Sequence, residues 1–406
     1  MMHLPRAVRS LWFVVAVASV GLAQPAKRPI AATDFDAWSS IATPQLSRDG
    51  RWLAYSYMPQ DADGTLVIRE VATGREVRVP VGTQPPPPAT SEDTQNPEAP
   101  PVRRNIRIAF TGDSRFAVAT SFPSKSDIAE ARRAKKKPEE MPKGGLVTVR
   151  LATGEVTRLA DVKSFQVPTK GGSWAAYLKE GKPEETKPGD AKSAEKPAEP
   201  TEPGDGESLA EDELDADATA TRRSAPSAAA PAATSGGTTY GTELVLRDLE
   251  SGAERSFAAV AEFMYARDGR TLLYAVSSRT KTENGVYAVT PGDSAAPQSL
   301  LAGAGRYSKL AWDREQTQLA FFSDRDTAAG ARDKARFKLY HWKRGAETAQ
   351  AVVSTETKGL PRTLVVSNDS AAMFSRDGRK IYVPAGTPPK PSRSTSAPTP
   401  PPEDKV

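Results

Sequence analysis

A turn followed by a strand recurs along nearly the whole chain, and this repeat limits the possible fold more than any other feature. Its first full copy is Ser47-Arg48-Asp49-Gly50-Arg51-Trp52-Leu53-Ala54-Tyr55-Ser56. Asp-Gly accepts the φ > 0 backbone of a tight hairpin at little steric cost, and the aromatic and aliphatic run behind it suits a sheet. Degenerate copies centre on Thr111-Gly112-Asp113-Ser114, Gly171-Gly172-Ser173, Arg267-Asp268-Gly269, Trp312-Asp313 and Arg376-Asp377-Gly378. A second hairpin alternates with this inner one. In residues 66–79 two short alternating strands flank Ala72-Thr73-Gly74, and residues 146–159 nearly repeat them around Ala152-Thr153-Gly154. Further outer copies occupy residues 243–255, 285–301 and 337–353.

An inner and an outer hairpin together make four antiparallel strands in about 40–45 residues, the size of one propeller blade. The inner strands carry apolar residues on both alternating faces, as in Trp52 to Tyr55, Phe116 to Ala119 and Leu319 to Phe322. A half-exposed sheet would alternate apolar with polar residues, whereas radially packed blades bury both faces. A two-sheet sandwich does not call for two hairpin signatures in fixed alternation. The expectation is therefore an all-β chain, a β-propeller of four-stranded antiparallel blades over residues 34–384, with about five and a half blades visible. The sixth inner unit, residues 372–383, has no outer partner, so truncation of a longer protein is expected.

The flanks and insertions read differently. Arg6 and Arg9 precede an apolar run and a small-residue site, the pattern of a secretory signal peptide over residues 1–23 with cleavage between Ala23 and Gln24. The run is roughly a dozen residues, short of the ~20 that cross a bilayer, so the expected location is periplasmic or extracellular, with no membrane attachment after cleavage. The chain has no cysteine, so its stability must come from a large core or a partner domain. A formal charge of +5 over 406 residues, with basic residues scattered or placed in loops, argues against nucleic acid as a partner. A polar loop begins at Pro85, and residues 126–143 read as a basic helical insertion with a solvated face. Residues 181–237, rich in Pro, Glu, Lys, Ala, Ser and Thr with an acidic stretch at 205–217, are expected to be disordered. The same holds for the Pro/Ser/Thr-rich tail, residues 385–406.

The inner signature at Ser47, the outer signature at Leu146 to Glu155, the segment Phe110 to Phe116 and the insertion Ala134-Lys135-Lys136-Lys137-Pro138-Glu139-Glu140-Met141-Pro142-Lys143 resemble the amino-terminal propeller of secreted bacterial prolyl oligopeptidase-family serine peptidases. TolB-type periplasmic propellers share the blade signatures. The resemblance implies a propeller that precedes an α/β-hydrolase domain with a Ser-Asp-His triad and restricts access to it. This chain departs from that pattern: it has no Gly-x-Ser-x-Gly elbow and no strand/helix alternation after the sixth inner unit. Its expected role is non-catalytic, a substrate-gating portion whose partner is the missing hydrolase domain and which meets peptide only indirectly. The alternative is a free-standing TolB-like module that binds a periplasmic protein.

Chemistry in the chain itself is sparse. After signal cleavage one histidine remains, His341, on an outer strand with no elbow nearby, and it reads as an ordinary strand residue. Without cysteine a zinc site is not expected, and no cofactor is expected either. Some relatives hold a substrate amino terminus with two propeller-borne glutamates. The pairs here, Glu139-Glu140 and Glu184-Glu185, sit in Pro/Lys-rich segments and read as solvated surface. Asp49, Asp113, Asp268 and Asp377 read as turn-formers rather than calcium ligands.

Overall fold

The computed structural model describes residues 38–60, 62–85, 105–181, 240–327 and 336–388. The signal peptide with Ala23 and Gln24, the insertion beyond Gly181 and the tail beyond Pro388 lie outside the described residues.

Inner hairpins other than the one at Gly171-Gly172-Ser173 turn where they do because an aspartate ties the turn to itself. Asp49 Oδ1 accepts from Ser47 Oγ at 2.6 Å and from the Arg51 amide at 3.1 Å, while Ser47 Oγ accepts from the Trp52 amide at 2.9 Å. Thr111 and Asp113 repeat the arrangement at 2.6 Å, with Ser114 taking the left-handed place of the glycine at φ 56°. Ser375 and Asp377 repeat it again at 2.6 Å.

From these turns follow the strands. Unit 1 is β1 (Ser39–Leu46), β2 (Trp52–Pro59), β3 (Gly64–Glu70) and β4 (Glu76–Gly82), an antiparallel meander in that order. Unit 2 is β5 (Ile108–Phe110), β6 (Phe116–Ser121), β7 (Gly145–Arg150) and β8 (Val156–Leu159), with helix α1 (Lys125–Arg133) between its second and third strands. Units 3 and 4 are built from β9 (Val162–Gln166), β10 (Trp174–Lys179), β11 (Thr242–Asp248), β12 (Glu254–Tyr265), β13 (Leu272–Val276), β14 (Gly285–Val289) and β15 (Gln298–Ala302). Unit 5 is β16 (Tyr307–Trp312), β17 (Gln318–Ser323), β18 (Lys338–Lys343) and β19 (Gln350–Val353). The fold is an all-β propeller of four-stranded units, as expected.

Three details differ from the expectation. Units 3 and 4 form one seven-stranded sheet, because β12 serves as the last strand of one and the first of the other. Residues 254–265 contain no glycine or proline to end a strand, so the crossing is made by a bend at Ala259, φ 53°, and Val260 pairs with both Thr242 and Val276. The sixth inner unit also begins earlier than residue 372. Its two short pairs, β20 (Val365–Val366) with β23 (Ala385–Gly386) and β21 (Met373–Phe374) with β22 (Ile381–Tyr382), are one hairpin interrupted at residues 367–372. The insertion read at residues 126–143 is helical only over α1, followed by a 3-10 turn at Pro138–Glu140.

The two-faced strands account for the core. Along β6, Ala117 and Ala119 join the cluster shared with unit 1, while Phe116 and Val118 join the cluster shared with unit 3. Alternate residues of β10, β13 and β17 divide in the same way between neighbouring clusters. Trp52 packs toward unit 2, but Tyr55, on the opposite face of β2, is only half-buried. Among the described residues that face of unit 1 is left uncovered, with Ile41 66% and Leu46 61% exposed.

Candidate functional site at the insert-bearing end of the blades

An antiparallel meander places its first and third turns at one end and its second turn, with the crossing to the next unit, at the other. At the first end every turn is short. All the long excursions leave from the second end: residues 83–107, 122–144, 180–241 and 324–337. The repeat itself sorts the chain into a plain end and an elaborated one.

The plain end is joined turn to turn. Ser173 Oγ donates to Asp113 Oδ2 at 2.6 Å, linking units 2 and 3. The Lys170 amide donates to Arg267 O at 2.7 Å between units 3 and 4, and the Arg267 amide donates to Gln316 Oε1 at 2.7 Å between units 4 and 5. Gln318 Nε2 reaches Gly378 O at 3.1 Å in the last hairpin. The outer turns are joined as well, by Arg75 to Leu151 O at 3.1 Å and by Arg150 to Glu250 at 2.9 Å. Asp113 is taken up in this way, and Asp268 is held by Arg344 at 2.8 Å and the Arg270 amide at 3.0 Å, so their charges are structural. Burial works to raise the Asp113 carboxyl, but the Ser173 and Thr111 hydroxyls and the Arg115 amide together hold it below the ordinary carboxylate value.

The first strands of successive units are joined too. Gln166 of β9 bridges to β12, donating to Phe263 O at 3.0 Å and accepting from the Tyr265 amide at 2.9 Å. Glu262 of β12 accepts the Lys309 and Leu310 amides of β16 at 2.7 and 3.0 Å. Burial nonetheless pushes the Glu262 carboxyl up from its ordinary value. Three buried polar atoms on the same two strands, Tyr265 OH, Ser308 Oγ and Trp312 Nε1, have no hydrogen-bond partner among the described residues.

At the elaborated end, α1 is seated on two units at once. Ser124 caps its N-terminus in a capping box with Asp127, and the Lys125 amide donates to Asp63 Oδ1 at 2.9 Å. Asp63, from the β2–β3 connection, also accepts from Thr83 Oγ1. The Phe122 amide donates to Val81 O at 2.7 Å and the Thr83 amide to Pro123 O at 3.0 Å, so the end of β4 is held against the approach to the helix. Between them lies a groove of about 590 Å³, with Phe122, Pro123, Ile128, Met141 and Pro142 among its apolar lining residues and Lys125 and Arg132 as its cations. That size falls in the range of small-ligand pockets.

Most of the residues singled out from the sequence do not converge. His341 lies on β18 in a second groove, between unit 5 and the last hairpin, with Nε2 at 2.9 Å from the amide oxygen of Gln318. Burial, then the neighbouring Lys343, lowers its pKa from the ordinary value, and the partner given by this contact is an amide rather than a hydroxyl or carboxylate. Glu140 is exposed, its carboxylate accepting the Lys137 amide at 3.3 Å, and Glu184-Glu185 lie outside the described residues. Among the described residues, no group of three or more His, Cys, Asp or Glu side chains is placed to hold a metal, and no helix is long and apolar enough to cross a membrane. The groove itself escaped the sequence reading because its lining comes from residues 83–85, 122–132 and 141–142. The one signal available was the stripe Lys125, Ile128, Ala129, Arg132, spaced for a single helix face.

No family model matches the chain, and no curated protein matches it. Among solved structures it is similar to the β-propeller domain of the Trilobed protease from Pyrococcus furiosus, at 9% identity over 86% of this chain and 78% of that one, TM-score 0.37. It is similar to Pyrococcus horikoshii acylaminoacyl peptidase at 10% identity over 86% of this chain, TM-score 0.34, and spans 43% of the length of that peptidase. TolB from Acinetobacter baumannii is similar at 11% identity over 82% of this chain and 57% of that one, TM-score 0.31. Each of these TM-scores lies below 0.5, and the fold rests on the four-stranded antiparallel units themselves.

Proposed function

We propose that this chain is the non-catalytic, substrate-gating propeller portion of an exported prolyl-oligopeptidase-like serine peptidase. In this reading it works in the periplasm or outside the cell, beside an α/β-hydrolase domain, and touches peptide only on its way to that domain. The observation that supports it is the one-sidedness of the molecule: a plain end knit together by its own turns, and an opposite end from which every long excursion departs. Insertions gathered on one face of a repeat protein commonly mark its binding face. The Lys/Pro/Glu insertion of the sequence resemblance stands on that same face.

A second reading is a free-standing module that binds another periplasmic protein. It is favoured by the open apolar face of unit 1, where Ile41 and Leu46 are exposed.

Both readings are tested by placing a photo-cross-linking amino acid at Gln60, which is exposed at the elaborated end, and irradiating cells whose serine hydrolases carry a fluorophosphonate label. A labelled cross-linked partner is the result expected of the first reading. An unlabelled partner, captured instead through Ile41, supports the second. Label on the chain itself would overturn the non-catalytic assignment.

A further inference from the structure

The groove beside α1 has a chemistry that narrows its ligand, whatever the propeller adjoins. Lys125, Ile128, Ala129 and Arg132 face it at i, i+3, i+4 and i+7, while Ala131 is the buried residue of the helix. Phe122, Met141 and Pro142 complete an apolar floor, and Thr83 to Pro85 form the wall from unit 1. Lys125 and Arg132 are the cations that line it. Arg133, Lys135, Lys136 and Lys137 continue from Arg132, all exposed. Residues 124–143 carry seven Lys and Arg against four Asp and Glu, so the insertion stays net positive even with Asp63 beside it. The seat is held in advance by Asp63, Val81 and Pro123, so little ordering remains to oppose binding.

A small anion would leave the apolar floor unused, and a neutral apolar ligand would leave the cationic rim unused. We propose that this groove binds an acidic polypeptide segment of a partner protein. Spaced apolar side chains of that segment enter between α1 and Phe122, and its carboxylates meet Arg132 and the basic run behind it. Opposite charge sets the approach and register, and apolar burial holds the segment in place.

The probe is a fluorescein-labelled peptide with the sequence of residues 205–217, an acidic stretch that carries Leu209 and Leu214. It is titrated against the full mature chain by fluorescence polarisation. The expected result is saturable binding that weakens about tenfold in Arg132→Glu and again when the peptide's acids become amides. Ile128→Asp tests the apolar floor independently, and an unchanged melting temperature shows that each variant is folded. Equal affinity for wild type, Arg132→Glu and Ile128→Asp would overturn the proposal. So would binding that survives conversion of the peptide's acids to amides. Binding seen only after the acids of the chain's own residues 205–217 are neutralised would also overturn it, assigning the groove to the chain's own segment instead.

Discussion

The two ends of the blades are made from the same repeat, yet they are put to opposite uses. At the plain end, short turns meet their neighbours through Asp113–Ser173, Lys170–Arg267 and Gln318–Gly378, and little polar capacity is left for anything else. At the elaborated end the second turn of each unit is free to lengthen, since loop closure entropy grows only slowly with length. Unit 2 uses that freedom to carry α1 and its groove. A propeller can thus separate what holds it together from what it offers to a partner. Substitutions in the seams of the plain end should change stability, and those of exposed residues around the groove at the elaborated end should change binding.

At the plain end the largest effect should come from a glycine wedged into a seam. Gly269 has φ 74°, and a Cβ there would lie 2.8 Å from Lys170 O. Gly269→Ala combines left-handed strain with overpacking and should cost about 3 kcal/mol in denaturant unfolding. Gly50 occupies the same place in the first copy of the turn, φ 71°, but a Cβ there meets nothing within 4 Å. Gly50→Ala should therefore cost only about 1 kcal/mol. Equal costs at the two sites would break the claim that the seams, rather than the turns alone, set the plain end's role.

Next in size is Asp113→Asn. Loss of a charged acceptor shared by Ser173 and Thr111 should cost about 1–2 kcal/mol near pH 6, discounted for partial exposure. The carboxyl is depressed in the folded state, so its contribution is complete above the unfolded value of about 3.9 and is lost as pH falls through the folded value. The gap between wild type and Asp113→Asn should accordingly shrink below about pH 4. A gap constant from pH 6 to pH 3 would show that the carboxylate charge is not what joins units 2 and 3.

The smallest stability effect belongs to the elaborated end. Lys136→Ala removes an exposed cation and should leave unfolding within about 0.5 kcal/mol of wild type.

Much of this division was legible in the residues. The Ser/Thr-x-Asp turns and the two-faced strands such as Phe116 to Ala119 specify a row of four-stranded units, because turn chemistry and period-two patterning are local. What could not be read is long-range. The joining of units 3 and 4 depends on a bend at Ala259 that no turn residue announces. The early start of the last hairpin depends on Val365–Val366 pairing across an interruption of several residues. The groove depends on three separated segments meeting, although the helix stripe that lines it was visible in outline. The basic insertion, read as a solvated face, is one for Arg132 and Lys135 to Lys137 but not for Ile128, which is half-buried in the groove.

Because the chain has no cysteine, the two ends can be compared in a single assay. Lys136→Cys at the elaborated end and Arg270→Cys at the plain end are each coupled to a bulky maleimide-polyethylene glycol, and binding of the acidic peptide is measured. The chain modified at position 136 is predicted to lose binding while the chain modified at position 270 keeps it. Retention at position 136 together with loss at position 270 would contradict the assignment of the elaborated end as the binding face.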